Sequence, residues 1–552
     1  MINKTLKVIP LGGLGEIGKN MMVFEYGDDI VVIDCGVMFP EEDMPGIDLV
    51  LPDIRYLIEN QKKIRAILIT HGHEDHTGAL PYVLSQINVP VFAPRLAHGL
   101  ISVKLKEHNL DKQTELNQIE PGVNYNFGSF GIEFFRVCHS IPDAMGIAID
   151  TPIGKVIHTG DFKIDHTPVD GKPTDLALLA RLGSDGVMLL LSDSTYAEVR
   201  GYTPSEQVVK EAIFRAIGEA KGRVLVASFA SLISRIQHVI EAAVYHDRKI
   251  TFVGRSMVNN VAMAQEMGYI SAPPGTIVPL QEAIKLSSER LVMMTTGSQG
   301  EPTSALVRIA NGTHRDISVA IDDTVIISAT PIPGNERLVS RTINNLIRKG
   351  ANVLYDKVAL VHVHGHSSQE ELKLVLNLVK PRYFVPIHGE YKGLVAHANL
   401  AEKTGVDQEN IFVLEDGDVL ELNGAEGWIA GQVQAGQVFL DGNTTLDMES
   451  STLRERRALS KAGIVLVISM IDGLNHKLMV EVEIVGTGFV DSDRLGFISR
   501  KVGPMLSESW DRGDFLVSDL GKTNKQIKRI VSDILYKETG KRPMIVPVIL
   551  QV

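Results

Sequence analysis

Six consecutive residues, His71-Gly72-His73-Glu74-Asp75-His76, limit what this chain can fold into more than any other feature. They follow an apolar run, Ile64 to Ile69, whose short bounded length predicts a buried strand. Polar groups packed this densely beside a buried strand must be satisfied by partners or by an ion. Imidazole and carboxylate are the donors that zinc or manganese takes, and alternate residues leaving a strand converge on one ion. A lone histidine reads as a surface or hydrogen-bonded core residue. Three with a carboxylate at this spacing read as a metal site.

The rest of the first 200 residues reads as short strands broken by turns. Leu6 to Leu11, Met21 to Glu25 and Ile30 to Asp34 are strands, with Tyr26-Gly27-Asp28-Asp29 a hairpin turn. Lys155 to Ile157 is a strand leading into His158-Thr159-Gly160-Asp161. Helical spacing appears at Leu80 to Gln86 and, after a Thr203-Pro204 start, up to Lys221. Gly13-Leu14-Gly15-Glu16-Ile17-Gly18 fits a dinucleotide fingerprint, with Asp34 placed for a ribose contact. That use requires a helix between them, whereas the segment reads strand, turn, strand.

From 204 to 351 strand and helix alternate: Val224–Ser228, Ser231–Val244, Lys249–Val253 and Asn259–Met267 predict an α/β block with a largely parallel sheet. Residues 352–430 return to strands carrying histidines, and 431–455 is a turn-rich linker. A final unit, 456–552, holds expected strands at Ile464–Ile471, Lys477–Ile484 and Met544–Leu550, with helices near 493–510 and 523–538. Two cysteines, Cys35 and Cys138, are too few for a disulfide framework. The opening residues lack the apolar stretch of a signal peptide and no run of apolar residues is long enough to span a membrane, so a cytoplasmic protein is expected. A net charge of −12 argues against a protein that coats nucleic acid, but leaves room for a local basic channel.

The H-x-H-x-D-H spacing resembles the metallo-β-lactamase superfamily. That resemblance implies an αββα sandwich, and further ligands at His139 (in Arg136-Val137-Cys138-His139-Ser140), at Asp161 as a bridge, and at His388 (in Pro386-Ile387-His388-Gly389-Glu390). Asp34, in Val32-Ile33-Asp34-Cys35-Gly36, then supports a ligand rather than being one. The long segment between Asp161 and His388 makes 204–351 an insertion, similar to that of the nucleic-acid-cutting β-CASP group. Leu191-Ser192-Asp193-Ser194-Thr195 matches that group's acidic motif, and His362-Val363-His364-Gly365-His366 its histidine motif, with His366 in the key place. The implied architecture is a metallo-β-lactamase domain in two parts, 1–203 and 352–430, an inserted β-CASP domain, 204–351, and a small α+β C-terminal domain.

Over its whole length the chain resembles the ribonuclease J family. Supporting segments include Leu11–Asn20, Met38–Asp48, His158–Lys163, Gly254–Met257, Thr296–Pro302, Pro331–Asn335, Gln369–Lys373 and Pro386–Tyr391. The resemblance implies a metal-dependent ribonuclease with 5′-to-3′ exonuclease and endonuclease action in rRNA processing and mRNA decay. It implies two divalent ions per subunit, zinc or manganese: His71, His73 and His139 complete one site, and Asp75, His76 and His388 the other. Hydroxide between them attacks phosphorus, and His366, with Asp193, serves the scissile phosphate as proton donor or charge stabiliser. A pocket for the 5′-monophosphate of RNA is implied around His362 to His366 and Arg255. A structural calcium near Asp48 and Asp441 is implied as well, as are a homodimer or tetramer, a paralogous subunit and an RNA-degradation complex.

In one place the chain departs from the family pattern, reading H-V-H-G-H where H-V-S-G-H is usual; His364 replaces a serine expected to touch phosphate. That departure alone supports a rival reading, a weakly active subunit that binds RNA and an active partner. A small-molecule hydrolase of the same fold is the other rival, and the insertion and His366 speak against it.

Overall fold

The computed structural model describes residues 5–41, 43–332, 334–442, 444–447, 450–472, 477–515 and 519–552. Glu42 and Pro333, within segments that carry the resemblance, and Asn443, Met448 and Glu449, within the expected linker, lie outside the described residues. The chain forms two units. One runs to Phe39 and resumes over Leu49–Val438; the other comprises Pro40–Asp48 and Phe439–Val552.

The first unit is built on two sheets. An eight-stranded sheet has Leu6–Gly12, Met21–Tyr26, Asp29–Ile33 and Ile64–Leu68 at its centre. A six-stranded sheet runs Tyr383–Ile387, Leu189–Asp193, Gly154–His158, Met145–Thr151, Phe130–Arg136 and Asn124–Phe127. Side chains alternate across each strand. Leu6, Val8, Val31 and Ile33 therefore join Phe134, Ile147, Val156 and Leu191 in one apolar core between the sheets. Ile9, Leu11, Ile30 and Val32 face the other way, onto the helical layer that includes Leu80 and Ile101. The outer face of the six-stranded sheet is covered likewise, Leu190 and Phe384 packing with Leu178 and Leu376. Because both faces are covered, these strands read as near-continuous apolar runs. The result is the αββα sandwich.

Between Asp193 and Gln369 the chain leaves to form a five-stranded parallel sheet, in the order Lys249–Val253, Leu291–Thr295, Val224–Ala227, Thr324–Ile327, Asn352–Leu354. Its last strand lies just beyond the boundary drawn at 351. The helix expected from Asn259 begins four residues earlier, as Arg255–Glu266. Residues 352–430, expected to be strands, contain two helices, Gln369–Val379 and Tyr391–Lys403, and His362 to His366 form a loop. Leu14–Gly15 is a short strand, and no helix separates Gly13 from Asp34, which removes the dinucleotide reading.

In the second unit, Ile464–Ile471 pairs in parallel with Met544–Gln551 and antiparallel with Glu483–Thr487. Helices Ser492–Asp511 and Leu520–Thr539 share a core with this sheet through Ile498, Val502, Ile527 and Val531. The third strand lies six residues beyond the start expected at Lys477. The expected linker is not structureless: it carries Thr444–Asp447 and the start of helix Ser451–Ala462. No helix among the described residues is long and apolar enough to cross a membrane.

Candidate active site

The site forms where parallel strands of both sheets end. Asp29–Ile33 and Ile64–Leu68 run in parallel and deliver Asp34, Thr70 and His71 to one edge. Gly154–His158, Leu189–Asp193 and Tyr383–Ile387 are parallel too, and deliver Asp161, Asp193 and His388.

Asp34, buried and in the left-handed region at φ 61°, accepts from Thr70 N, from Thr70 Oγ1 and from His76 Nδ1, each at 2.8 Å. A carboxylate accepts here, so Nδ1 of His76 carries a proton, and Nε2 is the nitrogen that would offer a lone pair once a cation displaces its own proton. A Cβ at Gly36 would overlap the Asp75 carbonyl, so only glycine lets this loop close against the His71–His76 turn. Asn20 secures the turn from the other side, its amide lying 3.1 Å from the Asp75 carbonyl and 3.1 Å from His76 Nε2.

The remaining donors converge. His73 Nδ1 lies 3.0 Å from His71 Nε2 and 3.1 Å from His139 Nε2. Asp161 Oδ2 is 3.7 Å from His71 Nε2, 3.8 Å from His139 Nε2, 3.2 Å from His76 Nε2 and 3.7 Å from His388 Nε2. Asp75 Oδ2 is 3.5 Å from His76 Nε2 and 3.3 Å from His388 Nε2. Four donors placed tetrahedrally at zinc–imidazole bond lengths lie about 3.3 Å apart. The observed separations bracket that edge, so the residues present fit divalent metal binding. Two donor groups result, His71 with His73 and His139, and Asp75 with His76, Asp161 and His388. Asp161 Oδ2 is within reach of both.

The two groups differ electrostatically. Burial pushes His71, His73 and His139 below the ordinary imidazole range, His73 to about 4, so each is neutral and able to offer a lone pair. Burial works the same way on His76 and His388, but carboxylates outweigh it. Asp161, Asp75 and Asp34 hold His76 well above its usual range, and Asp161, Asp193 and Asp75 raise His388 to about 10. In the metal-free chain these protons offset the carboxylate charge, and a bound cation takes their place.

Beside these groups Asp193 Oδ2 accepts from His366 Nδ1 at 2.7 Å. Burial disfavours charge on both, yet each raises the charged form of the other: Asp193 is held low and His366 is raised. Asp161, Asp193, His366 and His388 also meet donor spacing for an ion, but the short Nδ1 contact with Asp193 is that of a hydrogen bond. Thr195 Oγ1 bridges Asp193 Oδ1, at 2.7 Å, and His388 Nδ1, at 2.6 Å. The carbonyl of Gly365 accepts from His139 Nδ1 at 2.8 Å, and a side chain at Gly365 would strike that ring. Glu371 is fully buried and accepts from the backbone N–H groups of Ile164, Thr203 and Ser368, each at 2.8 Å. It ties the loop after Asp161, the entry to the insertion and the end of the His366 loop to one carboxylate. Sequence reasoning missed Asn20, Thr70, Thr195 and Glu371 as site residues.

The other expected residues divide. Val363 is buried in the apolar core of the inserted domain, so its side chain anchors the loop. His362 is held neutral by burial and by Arg235. Arg255 is exposed in the first turn of its helix and makes no hydrogen bond or ion pair among the described residues; the structure does not bring it into the donor cluster. His364 stacks on Tyr196, ring centroids 3.7 Å apart and planes 5° from parallel, and its Nδ1 donates to the His366 carbonyl at 2.8 Å. Burial and the neighbouring His366 lower its pKa to about 4. Asp48 and Asp441, expected near calcium, belong to the second unit. Asp441 pairs with Arg456 at 2.6 Å and Asp48 accepts from Gly442 N at 2.8 Å. No group of three metal-ligating side chains forms around these two acids among the described residues.

Comparison with known proteins agrees along the chain. Family models match for the metallo-beta-lactamase superfamily over residues 14–190, the ribonuclease J beta-CASP domain over 221–346, the Zn-dependent metallo-hydrolase RNA specificity domain over 352–414 and the ribonuclease J C-terminal domain over 451–552. The chain is 43% identical to ribonuclease J 1 of Streptococcus pyogenes, covering 100% of this chain and 99% of that one. It is 40% identical to ribonuclease J2 of Bacillus subtilis, with the same coverage, and 42% identical to ribonuclease J of Thermus thermophilus, over 99% of this chain and 95% of that one. A solved structure of a protein of unknown function from Enterococcus faecalis shares the fold, at TM-score 0.54 and 16% identity, over 76% of this chain and 100% of that one.

Proposed function

Since this chain belongs to the ribonuclease J family, and is therefore a metal-dependent hydrolytic ribonuclease, we propose that it cleaves RNA with two divalent ions, zinc or manganese, by 5′-to-3′ exonucleolytic and endonucleolytic attack. In this reading His71, His73 and His139 hold one ion, Asp75, His76 and His388 the other, and Asp161 lies between. The observation that carries it is the convergence of seven donor side chains, with Asp161 Oδ2 between 3.2 and 3.8 Å from four imidazole nitrogens. When bound, the ions supply Lewis acidity, which activates water near neutral pH and offsets charge on the phosphoryl oxygens.

The chain's own groups do the rest. Asp34 and Thr195 orient His76 and His388 through the ring nitrogens that face away from the cluster. Asp193 fixes Nδ1 of His366 and leaves Nε2 to give a proton to the oxygen that departs. Digestion of a 5′-labelled RNA by the purified chain, with manganese, with magnesium and after chelation, tests this. Cleavage that survives thorough chelation would remove the ions from the model.

A site that seats one terminal phosphate rejects a longer charged end through clash and unpaired charge. RNA bearing a 5′-monophosphate is thus expected to be shortened processively, and 5′-triphosphate RNA at least about tenfold more slowly. Equal exonucleolytic rates on the two ends would remove the terminal pocket.

One observation favours a second reading, a weakly active subunit working with an active partner: His364 is taken up by Tyr196 and by the His366 carbonyl. A serine there would offer a hydroxyl to phosphate instead. His364→Ser is expected to raise kcat/KM severalfold on 5′-monophosphate RNA. With the imidazole at about 4, it is already neutral from about pH 6 to 9, so the gain should be flat across that range. A slower serine variant at every pH would make His364 an adapted contact and leave the weak-subunit reading without support.

A further inference from the structure

Within the inserted domain, helix Glu336–Arg348 carries Arg337, Arg341, Asn344 and Arg348 at intervals of four, three and four residues. That spacing lines them along one helix face. All four are exposed, and together with Lys357 and Glu336 they line one open groove. Four cations face the single carboxylate of Glu336, on a chain whose net charge is −12. Arg341, Arg348 and Lys357 have no acidic partner within ion-pair distance among the described residues; Arg348 reaches only Asn345 Oδ1, at 3.3 Å. Like charges at this helical spacing repel weakly, which an anion shared along the face would offset.

Topology places this row relative to the site. The helix follows strand Thr324–Ile327, and the residue after that strand, Ser328, donates to the Val361 carbonyl at 2.7 Å, directly before the His362–His366 loop. The carboxyl edge of the inserted sheet therefore abuts the catalytic loop. The helix connects two adjacent parallel strands, so it runs back from that edge. Arg337 is at the near end and Arg348 at the far end, roughly 16 Å away at 1.5 Å per residue. That length suits two or three successive phosphates of an extended strand. No aromatic side chain lines the groove among the described residues, so it would grip backbone and not stack bases.

We infer that this helix face is a second RNA contact, a track that holds the phosphates of the substrate strand beyond the nucleotides in the catalytic cleft. The inference rests on the ribonuclease reading for its choice of polyanion. Its function is to set grip on long RNA while leaving chemistry on short RNA alone.

The test uses the full chain with Arg341→Glu and Arg348→Glu together, the neutral pair Arg341→Gln and Arg348→Gln, and a control pair, Lys62→Glu with Lys403→Glu, that shifts net charge equally at exposed sites elsewhere. Binding of 5′-monophosphorylated RNAs of about 6 and about 30 nucleotides is measured in chelator across a salt series, and cleavage separately with manganese. For the long RNA, the Glu pair should weaken Kd roughly tenfold at about 0.1 M salt and flatten the plot of log K against log salt by about 1.4, or 0.7 per lost contact. The Gln pair should give a smaller loss of the same kind. The control pair, and all cleavage of the short RNA, should be unchanged. Unaltered long-RNA binding overturns the inference and leaves an acidic protein surface as the groove's occupant. Equal losses on both lengths overturn it too, since the effect would then lie in the cleft. A wild-type chain that cleaves neither RNA strikes the proposed function instead, while the binding series in chelator still reads the groove.

Discussion

His76→Ala is expected to abolish RNA hydrolysis, lowering turnover by at least about a thousandfold, or roughly 4 kcal/mol of transition-state stabilisation. The residue is 2% exposed and does two things at once. Its Nδ1 satisfies Asp34 at 2.8 Å, and its Nε2 stands 3.2 Å from Asp161 and 3.5 Å from Asp75. Alanine removes a donor from the carboxylate-rich group and leaves Asp75 and Asp161 with His388 as that group's remaining imidazole. Metal analysis should show about one ion fewer per chain. The three-histidine group, neutral and held by Thr70 and the Gly365 carbonyl, should keep its ion. Circular dichroism of the loaded variant checks that the loss is local. Near-normal turnover in saturating manganese, or an unchanged metal content, would rule out the ligand assignment.

How much of this was legible beforehand follows from where the groups sit in sequence. His71 to His76 is contiguous, because alternate residues at a strand end and the following helical turn bring it to one place. Nothing beyond local geometry is needed to read it. Asp193 and His388 end neighbouring parallel strands, but almost two hundred residues separate them, so only the resemblance pointed to them. Thr195, Asn20 and Glu371 act by hydrogen bonds that depend on tertiary placement, and such bonds have no spacing code. Glu371 did leave a local signal: Ser368-x-x-Glu371 forms a capping box that opens helix Gln369–Val379. That box marks a helix start inside 352–430, where strands are expected.

Two other misplacements have separate physical causes. The third strand of the second unit is expected over Lys477–Ile484, yet pairing with Ile464–Ile468 falls on Glu483–Thr487. Alternation shows which residues suit a sheet, while register is fixed by the partner strand. Helix Arg255–Glu266 starts directly where Gly254 leaves the strand, at φ 114°.

His366→Ala is expected to lower kcat by about a hundred- to ten-thousandfold, the range for loss of one positioned proton donor, with metal content unchanged. The second condition separates this variant from His76→Ala, since in our reading His366 gives its Nδ1 to Asp193 and not to an ion. The pH profile separates proton transfer from mere packing. Burial opposes charge on His366, but Asp193 and Asp161 raise its pKa above the ordinary value. A donor must be protonated to act, so wild-type kcat should fall as pH rises through that raised pKa. In His366→Ala the alkaline fall should vanish, leaving a low rate that does not decline. Asp193→Asn tests the sign. Removing the negative charge 2.7 Å from Nδ1 lowers the pKa of His366, so the alkaline fall should move to lower pH and kcat at neutral pH should drop. If Asp193→Asn leaves the alkaline limb where it was, the limb belongs to another group, and His366 is a packing residue beside the cluster.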